Sequence, residues 1–182
     1  TTMAKPSSIQ VSSLEELRID VLRTMTGMNL WGEDGLRNLH QVRLGVLRRN
    51  ATQRHGVTRF KRGRNSNTLH FEDVETVDLH PHLLTDEWSN YARFVLYHEF
   101  LHVLGMRFHN AAFRKIESLW PYEGGDQGKP FTQYLRQRSA MWLWTCTSCE
   151  HQYPRKKRSK GRYKCRKCST VLVDIENVGE TI

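Results

Sequence analysis

Four cysteines near the C-terminal end constrain the fold of this chain more than any other feature. Cys146 and Cys149 form one Cys-x-x-Cys pair, and Cys165 and Cys168 form a second pair after an interval of 15 residues. Two such pairs at this spacing are typical of a zinc ribbon, in which four thiolates complete a tetrahedral shell and leave no position open for a reaction. A redox dithiol is the alternative, but one metal explains two matched pairs better. We therefore expect a structural zinc that holds together a module too small for its own core.

Positive charge is concentrated in the same segment. The chain carries a net charge of +9, and residues 146–182 contain nine basic and four acidic side chains. Basic residues that follow phosphates, beside aromatic rings that stack on bases, are typical of a single-strand-binding surface. The alternative is a solvated basic face whose tryptophans belong to the ribbon core. On the first interpretation, the residues expected to contact nucleic acid are Arg155, Lys156, Lys157, Arg158, Lys160, Arg162, Lys164, Tyr163 and Trp144.

A second pattern, His98-Glu99-Phe100-Leu101-His102, points to metal-dependent hydrolysis. On a helix, residues four apart face the same side, so His98 and His102 can bind one zinc ion. Glu99 can then lie beside the water that zinc activates and serve as general base. This chemistry is that of peptide-bond hydrolysis. The alternative is a helix that carries two ordinary histidines.

A catalytic zinc normally has a third protein ligand, and His109 is the candidate. Seven residues of straight helix would separate it from His102 by about 10.5 Å, so the chain must turn between them. Gly105 is the expected position of that turn. A metzincin pattern would instead place the histidine at position 108, which is Phe108. A gluzincin pattern would use a later glutamate, either Glu117 or Glu123.

The remaining pattern predicts an α+β protein. Ser13 and Glu16 form a possible capping box for a helix to about Thr26. A second helix is expected from Leu36 to about Arg49, because its apolar residues recur at helical spacing. Strands are expected at 57–60 and within 68–79, followed by helices over about 85–105, 110–119 and 131–143. His80 and His82 end the strand region and could line the cleft or a second metal site, although a plain loop is favoured.

These elements give a three-part organisation: a loose N-terminus at 1–12, a catalytic domain at 13–143, and a ribbon with its tail at 144–182. No stretch has the length of apolar sequence that a membrane helix needs, and the N-terminus lacks the apolar core of a secretory signal. We therefore expect an intracellular protein, in the cytoplasm or nucleoid or in a nucleus.

The combination of motifs resembles the SprT-like family, whose eukaryotic relatives include the Spartan proteases. The resemblance covers roughly residues 36–175 and rests on the strand pair, the His98–His102 motif, a His-x-x-x-Phe element at His109 and Phe113, and the basic ribbon. It implies a minimal zincin core with a short β-sheet, in which His98, His102 and His109 bind zinc and Glu99 is the base. It also implies a DNA-dependent metalloprotease that cleaves proteins bound or crosslinked to DNA.

Two zinc ions per chain are thus expected, one catalytic and one structural, with single-stranded DNA and DNA-bound proteins as partners. Two other functions stay open from the sequence. The chain could be a general small metallopeptidase whose ribbon is only structural. It could also be an adaptor that binds nucleic acid and has lost turnover, which the intact Glu99 disfavours.

Overall fold

A computed structural model describes residues 4–64 and 70–178. Within these residues the protein is α+β, with five α-helices and two three-stranded sheets. Two compact units contain Thr1–Gly128 and Lys129–Ile182. The first unit contains α1 (Ser8–Met28), α2 (Glu33–Gln41), β1 (Leu44–Val46), β2 (Gly56–Phe60), β3 (Val74–Leu79), α3 (Ser89–Val103) and α4 (Ala111–Glu117). Helix α5 (Gly128–Ser139) starts at the division, and β4 (Trp142–Cys146), β5 (Gln152–Arg155) and β6 (Leu172–Glu176) follow it.

The sheet of the first unit is mixed, with β3 in the centre. Strand β1 pairs with β3 in parallel, and β2 pairs with it antiparallel. Helices α1 and α3 pack together, and α3 also packs on β2 and β3. Val77 and Leu79 of β3 and Leu96 and Phe100 of α3 are fully buried. The core therefore lies between α3 and the sheet. This packing holds the His98–His102 motif of α3 next to β2.

The second unit is built on an antiparallel sheet in the order β5-β4-β6. Its small core consists of Cys146, Cys165 and Leu172, with Trp144 and Tyr153 packed against it. The division falls after Gly128, the first residue of α5, so the rest of α5 is grouped with the four cysteines, whereas the sequence-based boundary is 143/144. Among the described residues, no helix combines the length and the apolar character needed to cross a membrane.

The N-terminal helix begins earlier than predicted. Ser7, not Ser13, is the N-cap: its hydroxyl accepts from the backbone N–H of Gln10, and the Gln10 side chain accepts from the backbone N–H of Ser7. Glutamine closes a capping box as glutamate does, so two serines six positions apart are both candidates for the N-cap. Residues 8–12 are therefore helical, which corrects the expectation of a loose segment up to residue 12.

The predicted second helix is also too long. Helix α2 ends at Gln41, and Leu44–Val46 forms β1, paired in parallel with β3. A Cβ at Gly45 would collide with the Asp78 carboxylate of β3, so the glycine permits this close pairing. By pattern alone, residues 42–47 fit either a helix or a strand. Their pairing with β3 determines that Leu44–Val46 is a strand.

The other elements agree with the prediction except at their ends. Strand β2 is confirmed, and β3 begins only at Val74, after a single 3₁₀ turn at Phe71–Asp73. The predicted strand region also includes residues 68 and 69, which lie outside the described part of the chain. The helix predicted over 131–143 ends at Ser139, because Trp142 already pairs with Arg155 in the second sheet.

Candidate functional site

Three histidines converge in the first unit. Helix α3 places His98 and His102 one turn apart on the same face, and His109 precedes α4. The Nε2 atoms lie 3.3 Å apart for His98 and His102, 3.1 Å for His102 and His109, and 3.0 Å for His98 and His109. The structure thus brings together all three predicted ligands, including the residue whose position depended on a turn.

That turn is made by Gly105, as predicted. The N–H of Gly105 donates to His102 O at 3.1 Å and the N–H of Met106 donates to Leu101 O at 3.0 Å, which is the Schellman arrangement of a helix end. Gly105 has φ +94, a left-handed conformation that favours glycine. The Asn110 side chain then accepts from the N–H of Phe113 and begins α4. The chain therefore reverses within a few residues and returns His109 to the helix face.

The three nitrogens fit a metal ion. Nitrogens bound at about 2.1 Å to a tetrahedral metal lie about 3.4 Å apart, close to the observed separations. Burial and the neighbouring His98 lower the pKa of His102 to about 4, and burial lowers that of His98. Both imidazoles are therefore neutral at pH 7, as metal ligands must be. The group could hold a metal through three nitrogens and leave a fourth position open.

A second layer of contacts fixes the orientation of these rings. His98 Nδ1 lies 2.5 Å from Glu117 Oε1, and His102 Nδ1 lies 2.8 Å from Met106 O. Since both oxygens only accept, each Nδ1 carries the proton and each Nε2 presents its lone pair to the common centre. The buried Phe113 ring packs on all three imidazoles, with centroid separations of 4.8–4.9 Å.

Among the candidate third ligands, the structure brings His109 into the cluster. His109 lies in the cluster, whereas Glu117 contacts the outer nitrogen of His98 and is not one of the converging ligands. Sequence analysis considered Glu117 only as a direct ligand. The missed signal is its place on α4, eight positions after His109, which brings a carboxylate back to the far side of His98.

Glu99 points from α3 to strand β2. Its carboxylate accepts from Thr58 Oγ1 at 2.8 Å, and the same hydroxyl lies 3.1 Å from Glu99 O. A Cβ on Gly56 would lie 2.8 Å from Glu99 Oε1, so the glycine leaves room for the carboxylate. Glu99 is buried, and burial raises its pKa to about 7, against the opposing effect of the Thr58 hydrogen bonds. The group is thus held in place with a pKa suited to proton transfer near neutral pH.

The four cysteines form the second cluster. Their Sγ atoms lie 3.2 Å apart for Cys146 and Cys168, 3.6 Å for Cys149 and Cys165, and 3.7 Å for Cys149 and Cys168. Sulfurs around a tetrahedral zinc at about 2.3 Å lie about 3.8 Å apart, so the set can hold one metal with all positions filled by protein. All four are free thiols.

Two equivalent turns shape this cluster. After the first pair, Glu150 has φ +59 and its N–H donates to Cys146 O at 2.9 Å; after the second pair, Ser169 has φ +61 and its N–H donates to Cys165 O at 2.9 Å. Each Cys-x-x-Cys therefore ends in the same left-handed turn, which points both thiols of the pair to one side. The arrangement is compatible with a zinc ribbon.

A basic cleft lies in the same unit. It is a cavity of about 730 Å³ and most of the residues predicted to contact nucleic acid line it. The Trp144 and Tyr163 rings stack with centroids 4.5 Å apart, and the Arg155 guanidinium lies 5.1 Å from the Trp144 ring. Lys164 does not line the cavity. The predicted residues that do are Trp144, Arg155, Lys156, Lys157, Arg158, Lys160, Arg162 and Tyr163.

The loop that carries these charges is held by the Asp174 carboxylate and the Trp144 indole. The Asp174 carboxylate accepts from the backbone N–H of Ser159 at 2.6 Å and of Lys160 at 2.9 Å. Trp144 Nε1 donates to Lys157 O at 2.8 Å. The basic side chains therefore extend from a backbone that these hydrogen bonds hold in place. Sequence analysis gave no role to Asp174.

His80 and His82 do not belong to either cluster. His80 is buried, and its Nδ1 accepts from the His82 N–H at 3.2 Å, with the two rings stacked. Burial, together with the neighbouring His82, lowers the pKa of His80 to about 4. This histidine is a neutral structural residue that caps the 3₁₀ turn after β3.

The comparisons with known proteins add no assignment. The chain matches no protein-family model, no curated protein and no solved structure.

Proposed function

We propose that this chain is a zinc-dependent metallopeptidase of the zincin type, related to the SprT-like proteins. The observation that carries the proposal is the convergence of three imidazole nitrogens, 3.0–3.3 Å apart, next to a buried glutamate that follows the first of them in sequence. Three histidines with an open fourth position are the ligand set of catalytic zinc, whereas four cysteines are that of structural zinc. Two zinc ions per chain follow.

Each residue of the site has a separate role in the proposed hydrolysis. Zinc, when bound to His98, His102 and His109, supplies Lewis acidity to the scissile carbonyl and to the attacking water. Glu99 takes the proton of that water and passes it to the leaving amine. Thr58 holds the Glu99 carboxylate through its 2.8 Å hydrogen bond. The Glu117 carboxylate keeps His98 in the tautomer that the reaction requires.

Strand β2 supports an extended peptide as the substrate. It lies at an edge of its sheet: β3 pairs with one side, and no described strand pairs with the other. A peptide segment can add to such an edge through its own backbone hydrogen bonds. Since β2 also carries Thr58, a segment bound there would lie beside the group that holds the general base.

The ribbon supports a DNA-dependent version of this activity. Its basic cleft combines an ordered cationic loop with a stacked aromatic pair, the two components of a single-strand-binding surface. DNA held there would bring DNA-bound or DNA-crosslinked proteins to the peptidase unit. The corresponding place of action is intracellular, with DNA.

The test is proteolysis of a DNA-binding protein by the wild type and by Glu99→Gln, with and without single-stranded DNA. We expect cleavage that DNA stimulates and that falls about 10²- to 10⁴-fold in the variant, because only the general base is removed. Zinc content should stay at two ions per chain in both proteins. Cleavage without DNA would favour a general metallopeptidase. The adaptor would be favoured by full zinc loading with no cleavage in any condition.

The DNA interface has its own matched test. Lys156 lines the basic cleft and Lys164 does not, although both carry one charge in the same segment. We expect Lys156→Gln to weaken oligonucleotide binding and to reduce the slope of affinity against salt by about one, with a smaller effect for Lys164→Gln. Equal effects would assign binding to the overall charge of the segment.

A further inference from the structure

A second cavity, of about 410 Å³, lies beside the histidine cluster. His102 lines it and is also a member of the histidine cluster, so the cavity adjoins the candidate metal site. The walls are largely apolar and include Phe60, Met106 and Phe108. None of the described residues that line it is acidic. We call it the histidine cavity.

One strong cation lines the histidine cavity. Arg107 follows the Gly105 turn, and its guanidinium carbon lies 5.1 Å from the centre of the Phe108 ring. Its Nη1 atom is buried and has no hydrogen-bond acceptor within the described residues. Over residues 4–64 and 70–178, no ion pair involves Arg107. The charge is thus partly removed from water and not neutralised.

We propose that Arg107 makes the histidine cavity a specificity pocket for a carboxylate of the substrate peptide. This inference rests on the proposed peptidase function and names what its cavity selects. A guanidinium forms two parallel hydrogen bonds with a carboxylate, and partial burial strengthens them. The apolar walls suit the methylene groups that carry a glutamate carboxylate.

Nucleic acid is the less suitable ligand for this cavity. A phosphate backbone is bound by many cations in a row, as in the basic cleft, whereas Arg107 is a single cation between apolar walls. A carboxylate can come from an acidic side chain or from the C-terminus of the peptide. Both present the same group to Arg107, and the experiment below separates them.

The test measures binding as well as cleavage. Zinc-loaded Glu99→Gln protein is titrated with fluorescent peptides in which one Glu is moved along a neutral sequence blocked at both ends. Matched peptides carry Gln instead, either blocked or with a free C-terminus. The same titrations are done with Arg107→Gln added, and with Arg114→Gln as the control. Arg114 is an exposed arginine of α4 that does not line the cavity.

We expect Glu at one position to bind about 10- to 100-fold more tightly than Gln, the value of a charged hydrogen-bonded pair. Arg107→Gln should abolish that ratio with zinc content unchanged, and Arg114→Gln should preserve it. Tight binding of the Gln peptide with the free C-terminus, again dependent on Arg107, would support the carboxylate pocket and identify the C-terminus as its source.

Equal binding of Glu and Gln peptides, no peptide binding, or a Glu preference that survives Arg107→Gln would overturn the inference. It would also be overturned if Arg107→Gln weakened oligonucleotide binding and left the peptide ratio intact. Cleavage of the same peptides with Glu99 restored tests the proposed function separately. Arg107-dependent carboxylate binding without any cleavage would refute the peptidase and leave the carboxylate site.

Discussion

Removal of the Glu117 carboxylate should weaken metal binding at the histidine cluster without changing the cysteine cluster. Glu117 Oε1 lies 2.5 Å from His98 Nδ1, and both side chains are 23% exposed. The hydrogen bond is therefore shielded from most of the solvent, and it fixes both the tautomer and the ring plane of His98. Outer carboxylates of this kind contribute about 10- to 100-fold to metal affinity, which is about 1.4 to 2.7 kcal/mol.

Glu117→Gln keeps the size of the side chain and removes its charge. The control is Glu123→Gln, an exposed acid that sequence analysis also considered as a ligand. Zinc affinity is measured by competition with a coloured chelator, which resolves two sites per chain. We expect a 10- to 100-fold loss at the weaker-binding histidine site for Glu117→Gln, and no loss at the cysteine site for either variant.

Two results would refute this reasoning. An unchanged affinity in Glu117→Gln would show that the negative charge of Glu117 does not support the metal. A loss as large as that of His109→Ala would show that Glu117 is itself a ligand, as in the gluzincin alternative.

Three further predictions test other parts of the first unit. Thr58→Val should lower kcat about 10-fold or more with little change in KM, because it removes the hydrogen bond that holds the Glu99 carboxylate. Thr58→Ser keeps the hydroxyl and should retain the activity. Equal losses in the two variants would contradict a role for the hydroxyl. Gly105→Ala should destabilise the fold by about 1 kcal/mol or more in thermal unfolding, because Gly105 has φ +94. Gly27 lies near the end of α1 with open space around it, so Gly27→Ala should not destabilise the fold. His80 is held neutral with a pKa of about 4, so unfolded chains bind its proton first. Its contribution to the stability of the metal-free protein should therefore be lost between about pH 6.5 and pH 4, by up to about 3 kcal/mol. His80→Asn should flatten that part of the urea-unfolding profile, and an unaltered profile would exclude His80 as its source.

Both metal clusters could be predicted because their ligands are close in sequence and follow local geometry. Residues four apart on a helix share a face whatever surrounds the helix, so His98 and His102 were paired from spacing alone. The two Cys-x-x-Cys pairs each close a local turn in the same way. The prediction of His109 as the third ligand needs one more inference. A straight helix would hold His109 too far from His102, so the helix has to end between them, and Gly105 is the residue that can end it.

The errors lie where one segment fits two structures. The spacing of the apolar residues over 42–47 predicts a helix, yet β3 lies alongside and pairs with Leu44–Val46. The sequence pattern predicts that α5 continues beyond Ser139, yet Trp142–Cys146 pairs with β5 and β6 and forms a strand. Short apolar runs carry little periodicity, so the partner strand decides their conformation.

The sequence by itself therefore determined the candidate ligands of both candidate metal centres, the glutamate beside one of them and the cationic character of the segment with the four cysteines. These depend on spacing, turn residues and composition. The tertiary structure alone decided the contacts that tune them: Thr58 on Glu99, Glu117 on His98, Asp174 under the basic loop, and Arg107 in the histidine cavity. Most of these residues lie far from their partners along the chain or on separate elements, and a single sequence carries no distance between segments. Burial, which sets the pKa of Glu99 and His80, likewise arises only when those segments pack together.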